Sequence, residues 1–309
     1  MTRLLDVVMH YECNLACDYC TITPQMRTRS LSARQIAAAM QRARRDGITE
    51  LSFTGGEPTI RGDLLPLIRA AKKLGFMDIK VQSNGLLFTP ANVQRLRDAG
   101  VTRFHVSVHT HLKEPYERMV RGAAYDAMEA GLRALTAANV RPVADLIMSD
   151  ETAPRLAGAV KWLAERDIRR ARLWLISLTD GNRDRLHSLL PLDELMPHVS
   201  RAFEAADDRG LDLRSLHLPK CILGKYADRS EDPAAGGVRL ITPDDERDLA
   251  DAKLTPGAFV PACEGCPDRQ SCRGLRADYL EVHGDAAVAH ARGKNPAINP
   301  TRLRVVSES

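Results

Sequence analysis

The sequence predicts an α/β fold, namely a partial (β/α)6 TIM barrel followed by a small, irregular, cysteine-rich domain. Strand-like and helix-like segments alternate from residue 4 to about residue 177. They recur about every 30 residues, which is the size of one βαβ unit. A closed eight-unit barrel takes about 250 residues, so six units followed by a change of pattern indicate an incomplete barrel.

Each predicted element has its own signal in the sequence. Apolar and β-branched runs predict strands at 4–9, 50–54, 78–83, 102–108, 140–148 and 171–177. Helical periodicity predicts helices at 32–46, 62–75, 89–99, 124–139, 152–167 and 192–209. Ser32, Thr89 and Thr152 are predicted N-caps because each precedes a helical pattern. Gly75 and Gly100 stand where two helices would end.

The pattern changes near residue 210, where the sequence becomes rich in Pro, Gly, Asp and Cys. We therefore predict a barrel domain at 1–210, an auxiliary domain at 211–285 and a loosely ordered tail at 286–309. Few apolar residues remain in the auxiliary domain to build a core, so a bound metal centre would be needed to order it.

Composition and charge restrict the class of protein. The chain has 44% hydrophobic and 27% charged residues, which is typical of a soluble globular protein, and no apolar stretch is long enough to cross a bilayer. The N-terminus has neither the apolar segment nor the cleavage site of a secretory signal, so we expect a cytoplasmic protein. The formal charge of +4 is spread among acidic residues, which disfavours a nucleic-acid binder but suits an acidic electron-transfer partner.

The seven cysteines fall into two groups. The first group directly follows the first predicted strand, and the second lies in the auxiliary domain. An odd number in tight groups, without a secretion signal, favours metal or cluster binding over disulfides. The predicted metal ligands are Cys13, Cys17, Cys20, Cys221, Cys263, Cys266 and Cys272.

The first group reads Cys13-Asn-Leu-Ala-Cys17-Asp-Tyr-Cys20 and would lie at the C-terminal mouth of the barrel, where such folds place active sites. Three thiolates can bind three irons of a 4Fe–4S cluster and leave the fourth iron open to a chelating ligand. Tyr19 would shield that cluster. The alternative is a structural zinc loop, but zinc sites usually close with four ligands.

This CxxxCxxC spacing, with an aromatic residue before the third cysteine, resembles the hallmark of the radical SAM superfamily. The resemblance implies that the open iron binds the amino and carboxylate groups of S-adenosylmethionine (SAM). It also implies that an electron from the cluster cleaves SAM into methionine and a 5′-deoxyadenosyl radical, which abstracts hydrogen from a substrate. The resemblance covers residues 4–209 well, and residues 210–285 only in motif and spacing.

The end of the second predicted strand is similar to the family's GGEP motif. The motif comprises Gly55, Gly56, Glu57 and Pro58. The glycines would let the backbone pass close to a ligand, and the glutamate would accept a hydrogen bond from the SAM ammonium. The alternative is an ordinary strand-to-helix turn.

The third and fourth strands supply further residues that the resemblance implies for SAM binding. Ser83 and Asn84 match the strand-3 element that approaches the ribose, although a simple Asn-Gly turn is the alternative. In the family a strand-4 serine and a following arginine often contact SAM. Ser107 and Arg121 are the candidates here, and Arg118 is a rival for the arginine.

Alternation along the strands predicts which polar side chains enter the barrel. The predicted inward residues are His105, Ser107, His109, Asp145, Arg172 and Trp174. An inward polar row is costly unless it has partners or a ligand. His109 and His111 could bind a metal, but we favour substrate contact or packing for this pair.

Cys263-x2-Cys266-x5-Cys272 resembles the auxiliary-cluster segments of radical SAM enzymes with SPASM or twitch extensions. The full SPASM pattern has another cysteine four positions later, where this sequence has Arg276. Cys221 could complete a closed auxiliary 4Fe–4S cluster, and without it an open iron could bind substrate. A structural zinc site made of the same four cysteines is the alternative.

The resemblance leaves the substrate open. SPASM and twitch proteins often modify ribosomally made peptides, so peptide maturation is the leading hypothesis. The chain begins at its first strand, so a separate leader-peptide-binding protein would be required, and a flavodoxin- or ferredoxin-type protein would donate electrons. Alternatives are oxidation or rearrangement of a sugar, nucleoside or amino-acid derivative, modification of tRNA, and a non-catalytic SAM-binding iron–sulfur scaffold.

Overall fold

The computed structural model describes residues 3–252 and 257–285. The strands in these ranges are β1 (Leu4–Val8), β2 (Glu50–Thr54), β3 (Asp78–Ser83), β4 (Arg103–Ser107), β5 (Val143–Met148), β6 (Arg170–Leu175), β7 (Asp212–Leu216), β8 (Ser230–Glu231), β9 (Val238–Ile241), β10 (Glu246–Asp248), β11 (Gly257–Ala258) and β12 (Leu275–Arg276). The α-helices are α1 (Ala33–Arg45), α2 (Leu64–Lys73), α3 (Pro90–Ala99), α4 (Lys113–Val120), α5 (Tyr125–Ala137), α6 (Leu156–Glu165), α7 (Leu192–Asp207), α8 (Lys220–Leu223) and α9 (Ala277–His283). The tail predicted at 286–309 lies outside the described residues.

Strands β1 to β7 lie side by side in chain order and pair in parallel, as strands joined by helical crossovers do. This arrangement confirms the predicted α/β partial barrel. The six predicted strands agree with the observed ones to within three residues at each end. Because the carboxyl ends of parallel strands meet at one edge, the loops after β1 to β4 gather at the same mouth.

The sheet extends beyond the six predicted strands at both edges. Strand β7 pairs with β6 and β8 pairs with β7, while β9 pairs with β1 in parallel and β10 pairs antiparallel with β9. Residues after position 210 therefore build both edges. The sequence gives little signal for the outer strands, because β8, β9 and β10 are only two to four residues long and carry several charged residues.

The two edges of this sheet must approach each other. Strand β8 lies at one edge and β9 near the other, yet only residues 232–237 connect them. Such a connection spans roughly 25 Å at full extension. The sheet is therefore curled into a barrel whose edges face each other across this short connection.

The helices begin largely where the sequence predicts. Ser32 forms a capping box with Gln35, and the Thr89 side chain accepts a hydrogen bond from the Asn92 amide. Thr152 is the N-cap residue of a 3-10 turn, Ala153–Arg155, that leads directly into α6, but its side chain forms no capping hydrogen bond. The Thr152 hydroxyl instead donates to the Ile147 carbonyl at 2.5 Å, which fixes the turn after β5.

No sequence prediction covers helix α4, which is eight residues long. Its N-cap position holds Leu112, whose side chain has no oxygen to accept a hydrogen bond from the first turn.

No helix among the residues that the structure describes is long and apolar enough to cross a membrane.

Gly131 in α5 offers a test of how tightly this helix packs on the barrel mouth. A Cβ atom at Gly131 would lie 2.2 Å from the Gly85 carbonyl oxygen, in the turn after β3. We expect Gly131→Ala to lower the free energy of unfolding by about 1–3 kcal/mol, measured by urea denaturation, because the backbone must shift to make room. Gly62→Ala is the control, since nothing lies within 4 Å of its added Cβ. Equal stabilities of the two variants would contradict this packing.

Candidate functional site

The loop after β1 brings Cys13, Cys17 and Cys20 close enough to influence one another's ionisation. Burial raises the pKa of Cys13, and it raises the pKa of Cys17 to about 12. The neighbouring thiols raise both values further, because adjacent negative sulfurs repel. All three thiols are partly buried and none forms a disulfide. Such sulfurs become thiolates readily only beside a positive metal centre, which is what a cluster provides.

Backbone groups shape this loop around the sulfurs. The Leu15 amide lies 3.4 Å from the Cys13 sulfur, and the Ile22 amide lies 3.4 Å from the Cys20 sulfur. Amide donors of this kind stabilise thiolate ligands and tune a cluster. The Arg27 guanidinium donates to the carbonyl oxygens of Cys13 at 3.2 Å and Leu15 at 2.8 Å. The loop is thus held in place by the chain itself.

Within residues 3–252 and 257–285, no three Cys, His, Asp or Glu side chains converge tightly enough to hold one metal ion. A 4Fe–4S cluster makes a different demand, because each thiolate binds a separate iron at its own corner. Three neighbouring thiols spread around one loop meet that demand.

The two glycines of the GGEP motif pack directly against the approach to the cysteine loop. A Cβ on Gly55 would lie 2.3 Å from the His10 carbonyl oxygen, and one on Gly56 would lie 1.9 Å from the Glu12 carbonyl oxygen. The Gly56 amide donates to the His10 carbonyl at 2.8 Å. The close approach that requires glycine here is therefore to the chain itself, and the predicted approach to SAM stays a prediction.

Glu57 is completely buried, and its carboxylate collects four hydrogen bonds. One oxygen accepts from the Thr59 amide at 3.0 Å, the Thr59 hydroxyl at 2.6 Å and the Ser83 hydroxyl at 2.8 Å. The other oxygen accepts from the Asn84 amide at 2.8 Å. Glu57 therefore joins the turn after β2, including the buried Pro58, to the end of β3. Its contact with a SAM ammonium stays a prediction.

Asn84 carries this connection on to the cysteine loop. Its side-chain amide donates to the Asn14 side chain at 2.8 Å, and Asn14 directly follows Cys13. Ser83 is buried, and its hydroxyl also accepts from the Gly85 amide at 3.0 Å. The loops after β1, β2 and β3 thus form one hydrogen-bonded unit at the mouth of the barrel.

The two arginine candidates have different surroundings. Arg121 ends helix α4 in the left-handed conformation and forms an ion pair with Asp18, inside the cysteine loop. Arg118 instead pairs with Glu151 at 2.8 Å. Ser107 lies half-buried at the end of β4. Of the two arginines, Arg121 is the one held beside the cysteine loop.

Tyr19 is positioned by a buried histidine. Its hydroxyl lies 2.6 Å from the Nε2 atom of His109, and the two rings meet edge to face with centroids 4.5 Å apart. Burial lowers the pKa of His109 to about 4, so its ring is neutral at pH 7. Nδ1 accepts from the Ile147 amide at 3.3 Å, so Nε2 carries the proton and donates to Tyr19. Burial raises the pKa of the Cys17 thiol, and the tyrosine side chain in turn lowers it by a smaller amount.

The His109–His111 pair does not converge on one point. His109 is directed at Tyr19, whereas the ring of His111 packs against Gly158 of α6. Hydrogen bonds hold the His109 ring, whereas the His111 ring is held by packing and its buried Nδ1 has no hydrogen-bond partner in the described part of the chain.

The predicted inward polar residues meet inside the barrel. One Asp145 oxygen accepts from Arg172 Nε at 2.9 Å and from Trp174 Nε1 at 3.0 Å. Burial would raise the pKa of Asp145, but the nearby Arg172 and His105 hold it below its usual range. Burial also lowers the pKa of His105 to about 4, and its Nδ1 lies 2.6 Å from Arg172 Nη2. The barrel interior therefore holds a buried ion pair beside a neutral histidine.

The four C-terminal cysteines line one cavity of about 340 Å³, including its open part. Cys221 lies in α8, directly after β7, and Cys263, Cys266 and Cys272 come from the auxiliary segment. Burial raises the pKa of Cys272, and the other two cysteines of that segment raise it further. The Gly274 amide lies 3.2 Å from the Cys272 sulfur. The structure thus brings Cys221, 42 residues before the next cysteine, to the other three.

A second cavity, of about 900 Å³ including its open part, adjoins the first. Cys221, Cys266 and Cys272 line both cavities, and His217 and Arg276 line the larger one. Two residues near these sites, Asn14 and His217, were not predicted from the sequence. Asn14 could have been found because it stands inside the cysteine motif, and His217 because it directly follows the end of β7.

Comparison with known proteins gives three kinds of match. Residues 7–150 match the model of the Radical SAM superfamily. The Probable GTP 3′,8-cyclase of Sulfurisphaera tokodaii is 26% identical over 253 residues, which cover 81% of this chain and 79% of that protein. The protein of the same name from Saccharolobus solfataricus is 28% identical over 140 residues, only 45% of either chain. The match therefore spans less than half of the length of that relative.

The third kind of match is to solved structures. The structure titled native anSMEcpe with bound AdoMet has a TM-score of 0.65 at 14% identity, covering 95% of this chain and all of that one. Streptococcus suis SuiB bound to its precursor peptide SuiA has a TM-score of 0.60 at 16% identity, covering 70% of this chain and 49% of that one. At such identities the likeness establishes the fold.

His105 predicts how stability depends on pH. Its pKa is near 4 in the folded chain and about 6.5 unfolded, so the unfolded chain binds more protons between these values and stability falls as the pH falls. We therefore expect the free energy of unfolding to fall by about 2 kcal/mol between pH 7 and pH 5 on account of His105 alone. Urea denaturation should show this part of the pH dependence lost in His105→Asn and retained in the control His187→Asn, which changes an exposed ring. If the pH dependence of His105→Asn equals that of the unaltered protein, His105 is not a buried, neutral histidine with a lowered pKa.

Proposed function

We propose that this chain is a radical SAM enzyme in which Cys13, Cys17 and Cys20 hold a 4Fe–4S cluster that cleaves SAM reductively; the match of residues 7–150 to the Radical SAM model supports this. The observation that carries the proposal is the hydrogen-bonded unit at the barrel mouth, in which Asn14 and Asn84 join the cysteine loop to the GGEP turn. When bound and reduced, the cluster supplies the electron that yields methionine and a 5′-deoxyadenosyl radical. The chain's own part is to fix three sulfurs and keep one side of the cluster open to SAM.

The residues proposed to hold SAM all lie at this mouth. The GGEP turn and the β3 end are fixed to each other through Glu57, so groups that bind opposite ends of SAM keep a constant separation. Ser107 at the end of β4 and Arg121 beside the cysteine loop complete the set. Tyr19 lies within the loop, directly before Cys20, and its hydroxyl is held by His109.

We propose an auxiliary 4Fe–4S cluster at Cys221, Cys263, Cys266 and Cys272. The support is that all four line one cavity. The spacing of the last three cysteines, which resembles auxiliary-cluster segments, favours a cluster over a structural zinc site. Four thiolates would leave no open iron, so this cluster would relay electrons or hold the segment together.

A peptide is the proposed substrate, and maturation of a ribosomally made peptide is the proposed pathway step. The fold likeness to SuiB, which was solved with a precursor peptide, supports this class. The 900 Å³ cavity beside the auxiliary cysteines has room for a side chain and its neighbours. The same proposal includes a flavodoxin- or ferredoxin-type protein as electron donor and a separate leader-binding protein. It also includes a cytoplasmic location.

A nucleoside derivative is the second candidate substrate. It is favoured by the relatives named Probable GTP 3′,8-cyclase, one of which matches 81% of this chain. A scaffold that binds SAM without turnover is the third candidate, and formation of 5′-deoxyadenosine would exclude it.

Matched cysteine variants test the two cluster sites. Replacing Cys13, Cys17 and Cys20 with Ala should lower iron from about eight to about four per chain and abolish 5′-deoxyadenosine formation from SAM and dithionite. Replacing Cys263 and Cys266 with Ala should lower iron equally and leave 5′-deoxyadenosine formation measurable. Anaerobic protein is assayed for iron, zinc and product.

Each outcome decides one proposal. Persistent 5′-deoxyadenosine formation without the first three cysteines refutes the SAM-cleaving assignment. Unchanged iron with loss of about one zinc in the second variant replaces the auxiliary cluster with a structural zinc site.

Substrate class is tested by stimulation of SAM cleavage. We expect a synthetic peptide, encoded by a short reading frame beside this gene, to be modified and to increase 5′-deoxyadenosine formation above the rate with SAM alone, because a bound substrate consumes the radical productively. GTP is the competing probe. Stimulation by GTP together with a GTP-derived product, and none by the peptide, would select the nucleoside alternative.

A further inference from the structure

Arg276 occupies the position at which the SPASM pattern has a cysteine, and its side chain is 5% exposed. Its guanidinium donates to two consecutive barrel carbonyls, those of Leu175 at 2.9 Å and Ile176 at 2.5 Å, and to the Ser177 hydroxyl at 3.3 Å. It also forms a two-pronged ion pair with Asp278, with distances of 2.9 and 2.5 Å. All five N–H groups of the arginine therefore have partners.

Asp278 binds the same stretch of the barrel from its own side. Its carboxylate accepts from the Leu178 amide at 3.0 Å, in addition to the two bonds from Arg276. The ion pair thus holds the backbone of residues 175–178, from the last residue of β6 into the loop that follows it. Planar arginine–carboxylate pairs fix both distance and orientation, because two parallel hydrogen bonds allow little rotation.

The continuation of this stretch contacts the N-terminal cysteine loop. The Asn182 side-chain amide donates to the Ser177 carbonyl at 2.6 Å and to the Tyr19 carbonyl at 2.9 Å. The Gly181 amide donates to the Thr21 carbonyl at 2.9 Å. A Cβ on Gly181 would lie 2.9 Å from the Cys20 carbonyl oxygen, so the two backbones are in direct contact.

Residues 175–182, which we term the bridging segment, therefore lie between the two cysteine sites. One end is bound by Arg276, four residues after Cys272, and the other contacts the backbone on both sides of Cys20. We propose that the Arg276–Asp278 pair is a positioning element that fixes the auxiliary cysteine site relative to the N-terminal cysteine loop through the bridging segment. The bond to Asn182 transmits this constraint. Only the spectroscopic test of this proposal depends on the proposed function, because it requires both clusters to be present.

The first test needs no cluster and uses hydrogen exchange with mass spectrometry on the full chain. In Arg276→Met we expect amide exchange to accelerate on the order of tenfold in peptides covering residues 178–182 and 19–22, while a peptide within α1 is unchanged. Arg273→Met is the matched control. Arg273 lies on the same segment but pairs with Asp232 at 2.6 Å with both side chains about one-third exposed.

Asn182→Ala is the second variant and cuts the proposed path at its other end. It should accelerate exchange at residues 19–22 and leave peptides around Arg276 protected, and Arg276→Lys should be intermediate because one ammonium cannot replace a planar fork. Unchanged exchange at residues 19–22 in both Arg276→Met and Asn182→Ala overturns the proposal.

The second test measures the magnetic interaction between the two reduced clusters by electron paramagnetic resonance. We expect Arg276→Met to change the splitting or relaxation caused by this interaction and Arg273→Met to retain it. An unchanged interaction in Arg276→Met overturns the positioning role. If the unaltered protein shows a single cluster, the auxiliary-cluster proposal fails, and hydrogen exchange alone decides the role of Arg276.

Discussion

The barrel mouth depends on one buried carboxylate. Glu57 has no exposed surface, and a charged group in that position is tolerable only because four donors surround it. Those donors come from the turn after β2 and from the end of β3, so the carboxylate holds two loops in one arrangement. Asn84 extends the arrangement to Asn14, beside the first cysteine. The shape of the site is thus set by hydrogen bonds within the chain before any cofactor binds.

At the cysteine loop, by contrast, the surroundings disfavour negative charge on the sulfurs. Burial and the neighbouring thiols raise the pKa of Cys13 and Cys17, so placing negative sulfurs in this loop is costly. A cationic centre reverses this balance, because attraction to iron outweighs the cost of placing negative sulfurs together. Binding of the proposed cluster would therefore be coupled to release of protons from this loop.

Local signals predicted the parts of the molecule that depend on neighbours in sequence. Apolar periodicity located the barrel strands, Ser32 and Thr89 marked helix starts, and the spacing of three cysteines indicated that they lie near one another on one loop. Long-range pairing escaped prediction, since β9 is a four-residue strand that pairs with β1 across the chain. The roles of Glu57 and Arg276 escaped it too. Their partners lie up to about a hundred residues away, and burial cannot be read from residue type alone.

The pairing of Leu4 with Val238 also has a consequence for how the chain is made. On the ribosome, β1 emerges long before β9, so one of its edges has no partner until β9 has been synthesised. An unpaired strand edge attracts other strands, so the nascent protein must protect this edge until β9 is made. Closing a contact between such distant residues is also slow. Production of this protein is therefore expected to be more sensitive to translation speed and chaperone supply than its finished barrel suggests.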